Sequence, residues 1–134
     1  MAKRRLSLTP EARNCVLRYA QASRSREACG VLLAVADGHT ADGAGTDVVT
    51  RAVRVPNRAA DPARAFLVSP VDLARVERAA RPLGLRVIGT WHTHPHGAPE
   101  PSRADRAGAP DGWWQALAGS VHSRTVLRAF WVEN

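Results

Sequence analysis

The amino-acid sequence predicts one α+β domain over residues 1–134, with a mixed, mostly antiparallel sheet flanked by helices. Two observations carry this prediction. Two segments begin with a capping residue followed by proline, and several short apolar segments either alternate or run uninterrupted. The apolar fraction of 45% and the charged fraction of 23% are ordinary for a folded domain. A chain of this length can bury a modest core beneath a single sheet.

Two helices are predicted from their start signals. Thr9 reads as the N-cap of a helix over Pro10–Ala22, because proline is favoured at the first helical position and apolar residues then recur at helical spacing. Ser69 repeats the signal and opens a second helix over residues 70–82. Two helices of this length can cover the apolar faces of a sheet.

The remaining apolar segments predict the sheet. Residues 28–36 form a continuous apolar run, which is typical of a buried strand, and residues 48–55 alternate as its antiparallel hairpin partner. Residues 37–47 and 57–64 are rich in turn-forming residues and are predicted loops. Further strands are predicted at residues 65–68, 85–94, 113–120 and 126–132.

The net charge of +7 allows a nucleic-acid partner but does not favour one. The arginines are scattered along the chain, Lys3 is the only lysine, and no nucleic-acid-binding signature accompanies them. An acidic protein partner explains the charge equally well. The abundance of arginine and alanine also suggests a compositional habit of a high-GC bacterial source.

The cysteines and the hydropathy predict a cytoplasmic protein. Cys15 and Cys29 form no CxxC pair and read as reduced thiols packed as small apolar groups. No segment approaches the roughly 18 apolar residues that a membrane-spanning helix needs, and no secretory leader is recognised at the N-terminus.

The most informative segment holds two histidines two residues apart, His92 and His94, near the end of a predicted strand. Side chains alternate along a strand, so both project to one side, about 6–7 Å apart along the chain. Two imidazoles so placed can converge on one metal ion at about 2.0–2.1 Å from each nitrogen. Trp91 and Thr93 then face the opposite side, where Trp91 can pack in a core.

Two readings apply to the acidic and hydroxyl residues near this pair. Ser102 with Asp105 three residues later is a helix-start pattern, but behind the histidines Asp105 can supply a third ligand and Ser102 can donate to an oxyanion. Glu27, before the apolar strand, is either an ordinary solvated charge or the base that takes a proton from water. Two histidines and one carboxylate leave a fourth metal position for water.

The chain contains, in order, a glutamate, an HxH sequence, seven further residues and an SxxD sequence. This order resembles the JAMM motif of the MPN-domain metalloproteases. The resemblance implies that His92, His94 and Asp105 are zinc ligands. It also implies that Glu27 is the general acid and base and that Ser102 stabilises the tetrahedral intermediate. Iron or manganese would also fit two histidines and a carboxylate.

The residues around the motif support the same resemblance, which covers about residues 8–130. They are an E-x-C-G sequence before the apolar strand, Asn57, an F-x-x-S-P sequence at residues 66–70, and a proline after the second histidine. The resemblance implies the MPN/JAB fold, a curled mixed sheet between helices with the layering of cytidine deaminases. This agrees with the fold class read from the sequence pattern.

The resemblance implies an enzyme that cleaves isopeptide or peptide bonds after the C-terminal Gly-Gly of ubiquitin-like proteins. The short chain resembles bacterial single-domain members that process small sulfur-carrier proteins. Two alternatives are a non-catalytic MPN scaffold, which typically lacks a motif residue, and, with less support, a basic nucleic-acid-binding domain. The oligomeric state stays open, with a homodimer among the options.

Other histidines and the paired tryptophans have plainer interpretations. His96 follows a proline that interrupts the strand and is predicted to be exposed or to lie beside the ligands, and His39 and His122 are predicted surface residues. Trp113 and Trp114 are adjacent on a strand, so one faces the core and the other faces outward. The outward one either packs at a surface or lines a substrate channel.

Overall fold

The computed structural model describes residues 4–36 and 45–133. In chain order its elements are β1 (Arg5–Leu8), α1 (Pro10–Ala22), β2 (Cys29–Val35), β3 (Thr46–Val49), β4 (Arg51–Val55), α2 (Pro70–Ala80), a 3₁₀ turn (Arg81–Leu83), β5 (Leu85–Thr93), α3 (Arg103–Gly108), β6 (Trp113–Val121) and β7 (Arg124–Val132).

A five-stranded sheet in the order β4-β2-β5-β6-β7 forms the framework, and β1 and β3 make a separate parallel pair. Within the larger sheet only β5 and β6 run parallel, and the other neighbours are antiparallel. The predicted class, a mixed and mostly antiparallel sheet with helices, is therefore confirmed. No helix among the described residues is both long and apolar enough to cross a membrane.

The two faces of the sheet bury two separate clusters, because side chains alternate along each strand. On the face covered by α1, Leu32 and Trp91 pack with Ala12 and Val16 of the helix. On the other face, Cys29, Val31, Leu33, Val55 and Ala80 form a cluster that Leu73 and Val76 of α2 adjoin. As the sequence predicted, both cysteines are free thiols.

The structure changes two of the predicted elements. Residues 65–68 are not a strand, because the Asn57 side chain and the Arg58 amide take up backbone groups of Ala65 and Leu67 that a neighbouring strand would need. The predicted strand over 48–55 is interrupted at Thr50, and its first half lengthens to Thr46–Val49 and pairs with β1, which the sequence did not reveal. Residues 37–44 of the predicted loop, with His39, lie outside the described residues.

Replacing Gly30 with alanine is expected to destabilise the fold by about 1–3 kcal/mol, the usual cost of overpacking. A Cβ at Gly30 would collide with the Val53 carbonyl on β4 and with the Trp91 indole on β5. Chemical denaturation measures the change. Gly108→Ala is the matched control, because its Cβ meets nothing within 4 Å and the change should be neutral or stabilising. Equal stability of the two variants would contradict the packing described here.

Candidate metal centre

The end of β5 and the start of β2 bring three of the predicted site residues together on the α2 face. Cys29 pairs with His92 in the antiparallel ladder. Thr93 extends the pairing, because its amide donates to the Ala28 carbonyl at 3.0 Å and its hydroxyl accepts from the Ala28 amide at 2.9 Å. Continuing this register by one residue sets Glu27 opposite His94. Paired residues point to the same side of a sheet.

The four polar side chains form one compact cluster. One ligand atom from each of Glu27, His92, His94 and Asp105 lies within 4.8 Å of the others. Asp105 Oδ2 is 3.0 Å from His92 Nε2 and 3.2 Å from His94 Nε2. The sequence analysis assigned these four residues to one metal centre, and in the structure they lie next to one another.

Asp105 reaches the histidines because α3 begins beside them. Ser102 is the N-cap of α3, and its hydroxyl accepts from the Asp105 amide at 3.0 Å. In return Asp105 Oδ2 accepts from the Ser102 amide at 2.8 Å, which completes a capping box. The helix-start reading of these two residues is therefore correct, and the same cap aims the carboxylate at both imidazoles. Ser102 is exposed and meets the cluster through Asp105.

Each histidine is oriented by a contact outside the cluster. His94 Nδ1 donates to the Ala98 carbonyl at 2.8 Å, so Nε2 is the nitrogen left to hold a proton or a metal. His92 is completely buried and stacks on Phe66, with ring centroids 4.0 Å apart. The loop that carries Ala98 contains three prolines, whose fixed φ restricts its conformations.

Burial and neighbouring charges perturb the pKa of every ionisable member. Burial raises the pKa of Glu27 to about 7, although His94 acts in the opposite direction. Burial also favours a high pKa for Asp105, but hydrogen bonds from His92 and His94 outweigh it and hold that pKa well below its usual value. Burial lowers the pKa of His92, whereas the Asp105 carboxylate raises that of His94.

The cluster fits a divalent metal on the chemistry of its donors. Two imidazole nitrogens and a carboxylate are ligands that zinc accepts in open catalytic sites. Glu27 Oε1 and His92 Nδ1 are buried without a hydrogen-bond partner among the described residues. A buried carboxylate without a partner is costly, and a nearby cation would offset that cost. Glu27, His92 and Asp105 are each no more than 6% exposed.

The remaining candidates lie away from the cluster or around it. His96 is exposed, and His122 sits in the exposed turn between β6 and β7 with a φ of 50°. Trp114 is the buried member of its pair, whereas Trp113 is half-buried and lines a cavity beside Asp105. Burial raises the pKa of the Cys29 thiol to about 12, which agrees with a packed thiol and not a reactive one.

Asn57 connects the segments around the site through its side-chain amide, a role that the sequence pattern did not indicate. Its Nδ2 donates to the Glu27 carbonyl at 2.8 Å and to the Ala65 carbonyl at 2.9 Å. Its Oδ1 accepts from the amides of Ala59 at 3.0 Å and Leu67 at 3.1 Å. All four hydrogen-bonding positions of the amide are thus used. Only the resemblance pointed to this residue, since an asparagine after a strand usually signals a turn.

Replacing Asn57 with aspartate is expected to cost about 1–3 kcal/mol of stability. A carboxylate has the same shape but cannot donate, so it would face the carbonyls of Glu27 and Ala65 unpaired. Thermal and chemical unfolding measure the loss. Asn14→Asp on the exposed face of α1 is the matched control. Equal stability of the two variants would show that these hydrogen bonds contribute nothing.

The chain is similar in sequence to one known family and to one named protein. The family described as prokaryotic homologues of the JAB domain matches residues 10–133. A protein named Desampylase from Haloferax volcanii is 34% identical over 110 residues, which cover 79% of this chain and 73% of that protein.

Solved structures share the fold at lower sequence identity. The solution structure of a Desulfitobacterium hafniense protein matches with a TM-score of 0.80 and 22% identity, covering 96% of this chain and 84% of that one. A Salinibacter ruber protein matches with a TM-score of 0.60 and 24% identity, covering 93% and 80%. At these identities the likeness shows the fold alone.

Proposed function

Since the chain belongs to the family of prokaryotic homologues of the JAB domain, we propose that it is a zinc-dependent peptidase or isopeptidase. Its substrate is a small ubiquitin-like or sulfur-carrier protein, cleaved at the amide bond after the C-terminal Gly-Gly. The observation that carries the proposal is the cluster of Glu27, His92, His94 and Asp105 within 4.8 Å. The relative named Desampylase supports a hydrolase of this type.

In this proposal His92, His94 and Asp105 hold the metal. Zinc, when bound, supplies a Lewis acid that acidifies water and polarises the scissile carbonyl. The capping box of α3 and the Ala98 carbonyl hold Asp105 and His94 before any substrate arrives. Such preorganisation keeps the ligand atoms from having to reorient during the reaction.

Glu27 transfers the proton. Its carboxylate accepts a proton from water and returns it to the leaving amine, and in the metal-free protein burial already raises its pKa to about 7. The backbone of Glu27 is fixed on both sides, because its amide donates to the Pro62 carbonyl at 2.7 Å and its carbonyl accepts from Asn57. These two hydrogen bonds hold the backbone from which the carboxylate reaches the histidines.

Ser102 stabilises the developing oxyanion. Its oxygen already accepts the Asp105 amide, and a serine hydroxyl keeps one O–H donor when its oxygen accepts. Because Ser102 is exposed beside the cluster, that donor can reach a substrate carbonyl. Removing one such donor typically lowers kcat about 10²–10³-fold, which sets the scale expected for Ser102→Ala.

The test is the intact mass of a ubiquitin-like protein that ends in Gly-Gly and carries a C-terminal extension. The zinc-loaded enzyme is expected to release the extension and leave Gly-Gly as the new C-terminus. The matched control substrate has Ala-Ala in place of Gly-Gly and should stay uncut. Failure to cleave any of several ubiquitin-like and sulfur-carrier proteins, by an enzyme that holds zinc, would overturn the proposed substrate class.

A further inference from the structure

A cavity of about 210 Å³ opens directly beside the candidate metal centre. Asp105 lines it, and so does Phe66, whose ring stacks on His92. Cavities of roughly 150 Å³ already admit a benzene ring, so this one has room for a leucine or a phenylalanine side chain. The cavity and the cluster are therefore parts of one continuous site.

The lining of this cavity is apolar. Its walls come from α2, α3, the start of β6 and the segment before α2, and include Phe66, Val68, Leu73, Ala109, Pro110 and Trp113. Among the described residues that line it, Asp105 is the one ionisable side chain. This contrasts with the chain as a whole, which holds 19 lysines and arginines. A negatively charged side chain would lose its hydration here and be repelled by the Asp105 carboxylate, and a positively charged one would find Asp105 Oδ2 already held by His92, His94 and the Ser102 amide.

Hydrogen bonds hold the walls in place without a ligand. The side-chain Nε2 of Gln115 on β6 donates to the Asp105 backbone carbonyl at 3.2 Å and connects α3 to the sheet. On the opposite wall, Asn57 binds the backbone of Ala65 and Leu67. The walls of a preformed cavity do not have to become ordered when a side chain binds, so the shape of the cavity can select between substrates.

We propose that this cavity is a specificity pocket for an uncharged aliphatic or aromatic side chain of the substrate tail. That side chain belongs to the residue three positions before the scissile bond. The inference rests on the proposed function, because the position is counted from a Gly-Gly terminus. It goes further by naming the tail chemistry that the enzyme accepts, Gly-Gly preceded by a large apolar residue.

The substrate side chain that enters the cavity lies on the acyl side of the cleaved amide bond for two reasons. The two glycines carry no side chain, so the first side chain that can enter a pocket is about 7 Å upstream along an extended tail. Asp105 is the one member of the cluster that lines the cavity, and the other lining residues include Leu73 and Trp113, so the cavity lies beside the cluster and not within it. On the leaving side, by contrast, a lysine side chain or a single amino acid follows the bond, and a fixed apolar pocket would not serve both.

Two peptide series test the proposal. The first has leucine, alanine, glutamate or arginine three positions before the cleaved bond, in the form acetyl-Ala-Ala-X-Gly-Gly-Ala-amide. The second varies the residue after Gly-Gly in the same way. Zinc-loaded wild type cleaves them, and zinc-loaded Glu27→Gln is titrated with them by calorimetry. Leucine in the first series is expected to exceed alanine roughly 10–30-fold in kcat/KM and in affinity, with both charged residues below alanine.

A matched pair of variants assigns the preference to the cavity. Trp113→Ala removes a wall and should bring the leucine-to-alanine ratio toward one. Trp131→Ala, the same change beside Trp114 and outside the lining, should leave the ratio unchanged. Equal values across the first series, a preference only in the second series, or a ratio unaffected by Trp113→Ala would each overturn the pocket. Selective binding without cleavage would instead leave the pocket standing and contradict the proposed function.

Discussion

Replacing Glu27 with glutamine is expected to lower kcat/KM by about 10²–10⁴-fold, the usual contribution of a general base. Glutamine keeps the shape and the hydrogen-bonding carbonyl of the side chain but cannot accept the proton of water. Steady-state cleavage of an extended Gly-Gly substrate measures the loss. Glu77→Gln is the control, since Glu77 is an exposed carboxylate on α2.

The same variant separates chemistry from folding. Glu27 Oε1 is buried without a partner among the described residues, and burial raises the pKa of this carboxyl. Removing the charge should therefore not destabilise the metal-free protein. At pH 8 the unfolding midpoint of metal-free Glu27→Gln should be at least as high as that of the metal-free wild type. Zinc content should stay at the wild-type level. Full activity in Glu27→Gln would contradict the role given to the carboxylate, and unfolding of the variant would contradict the burial argument.

Replacing His92 with alanine is expected to abolish both zinc binding and cleavage. His92 Nε2 is one of three ligand atoms that converge on the same point, and two remaining ligands hold zinc poorly. Wild type at free zinc 100-fold above its Kd should gain about 2.7 kcal/mol of stability. The variant should gain none, so zinc-dependent thermal shifts report the loss without any activity assay.

His96→Ala is the matched control for this prediction. His96 lies two residues beyond His94, past Pro95, and is exposed. The same chemical change there should leave zinc content, the zinc-dependent thermal shift and cleavage at wild-type levels. If both variants lost zinc, the ligand set proposed here would be wrong. If His92→Ala kept zinc, the metal would lie elsewhere.

The residues of the metal centre were predictable because their spacing is a local signal. Alternation along a strand places His92 and His94 on one face, and the capping pattern orients Asp105 at the start of α3. Glu27 is different, because its own neighbourhood left a solvated charge and a general base as alternatives. The resemblance favoured the base, and the register between β2 and β5 explains why the fold places Glu27 beside His94.

The features that could not be predicted from the sequence depend on contacts between distant segments. β1 and β3 pair across 41 residues, and neither is apolar enough to signal a strand alone. Residues 65–68 have the composition of a strand, yet the Asn57 amide binds their backbone and no strand ladder forms. The stacking of Phe66 on His92 and the cavity beside Asp105 likewise arise only once these segments are brought together.

The most direct test of the account is the cleavage rate as a function of bound zinc. Protein stripped with a chelator is titrated with zinc, and bound metal and cleavage of an extended Gly-Gly substrate are measured on the same samples. We expect no cleavage without metal and a rate that rises in proportion to zinc occupancy, up to about one zinc per chain. Cleavage by the metal-free protein, or full occupancy of this site without cleavage of any Gly-Gly substrate, would contradict it.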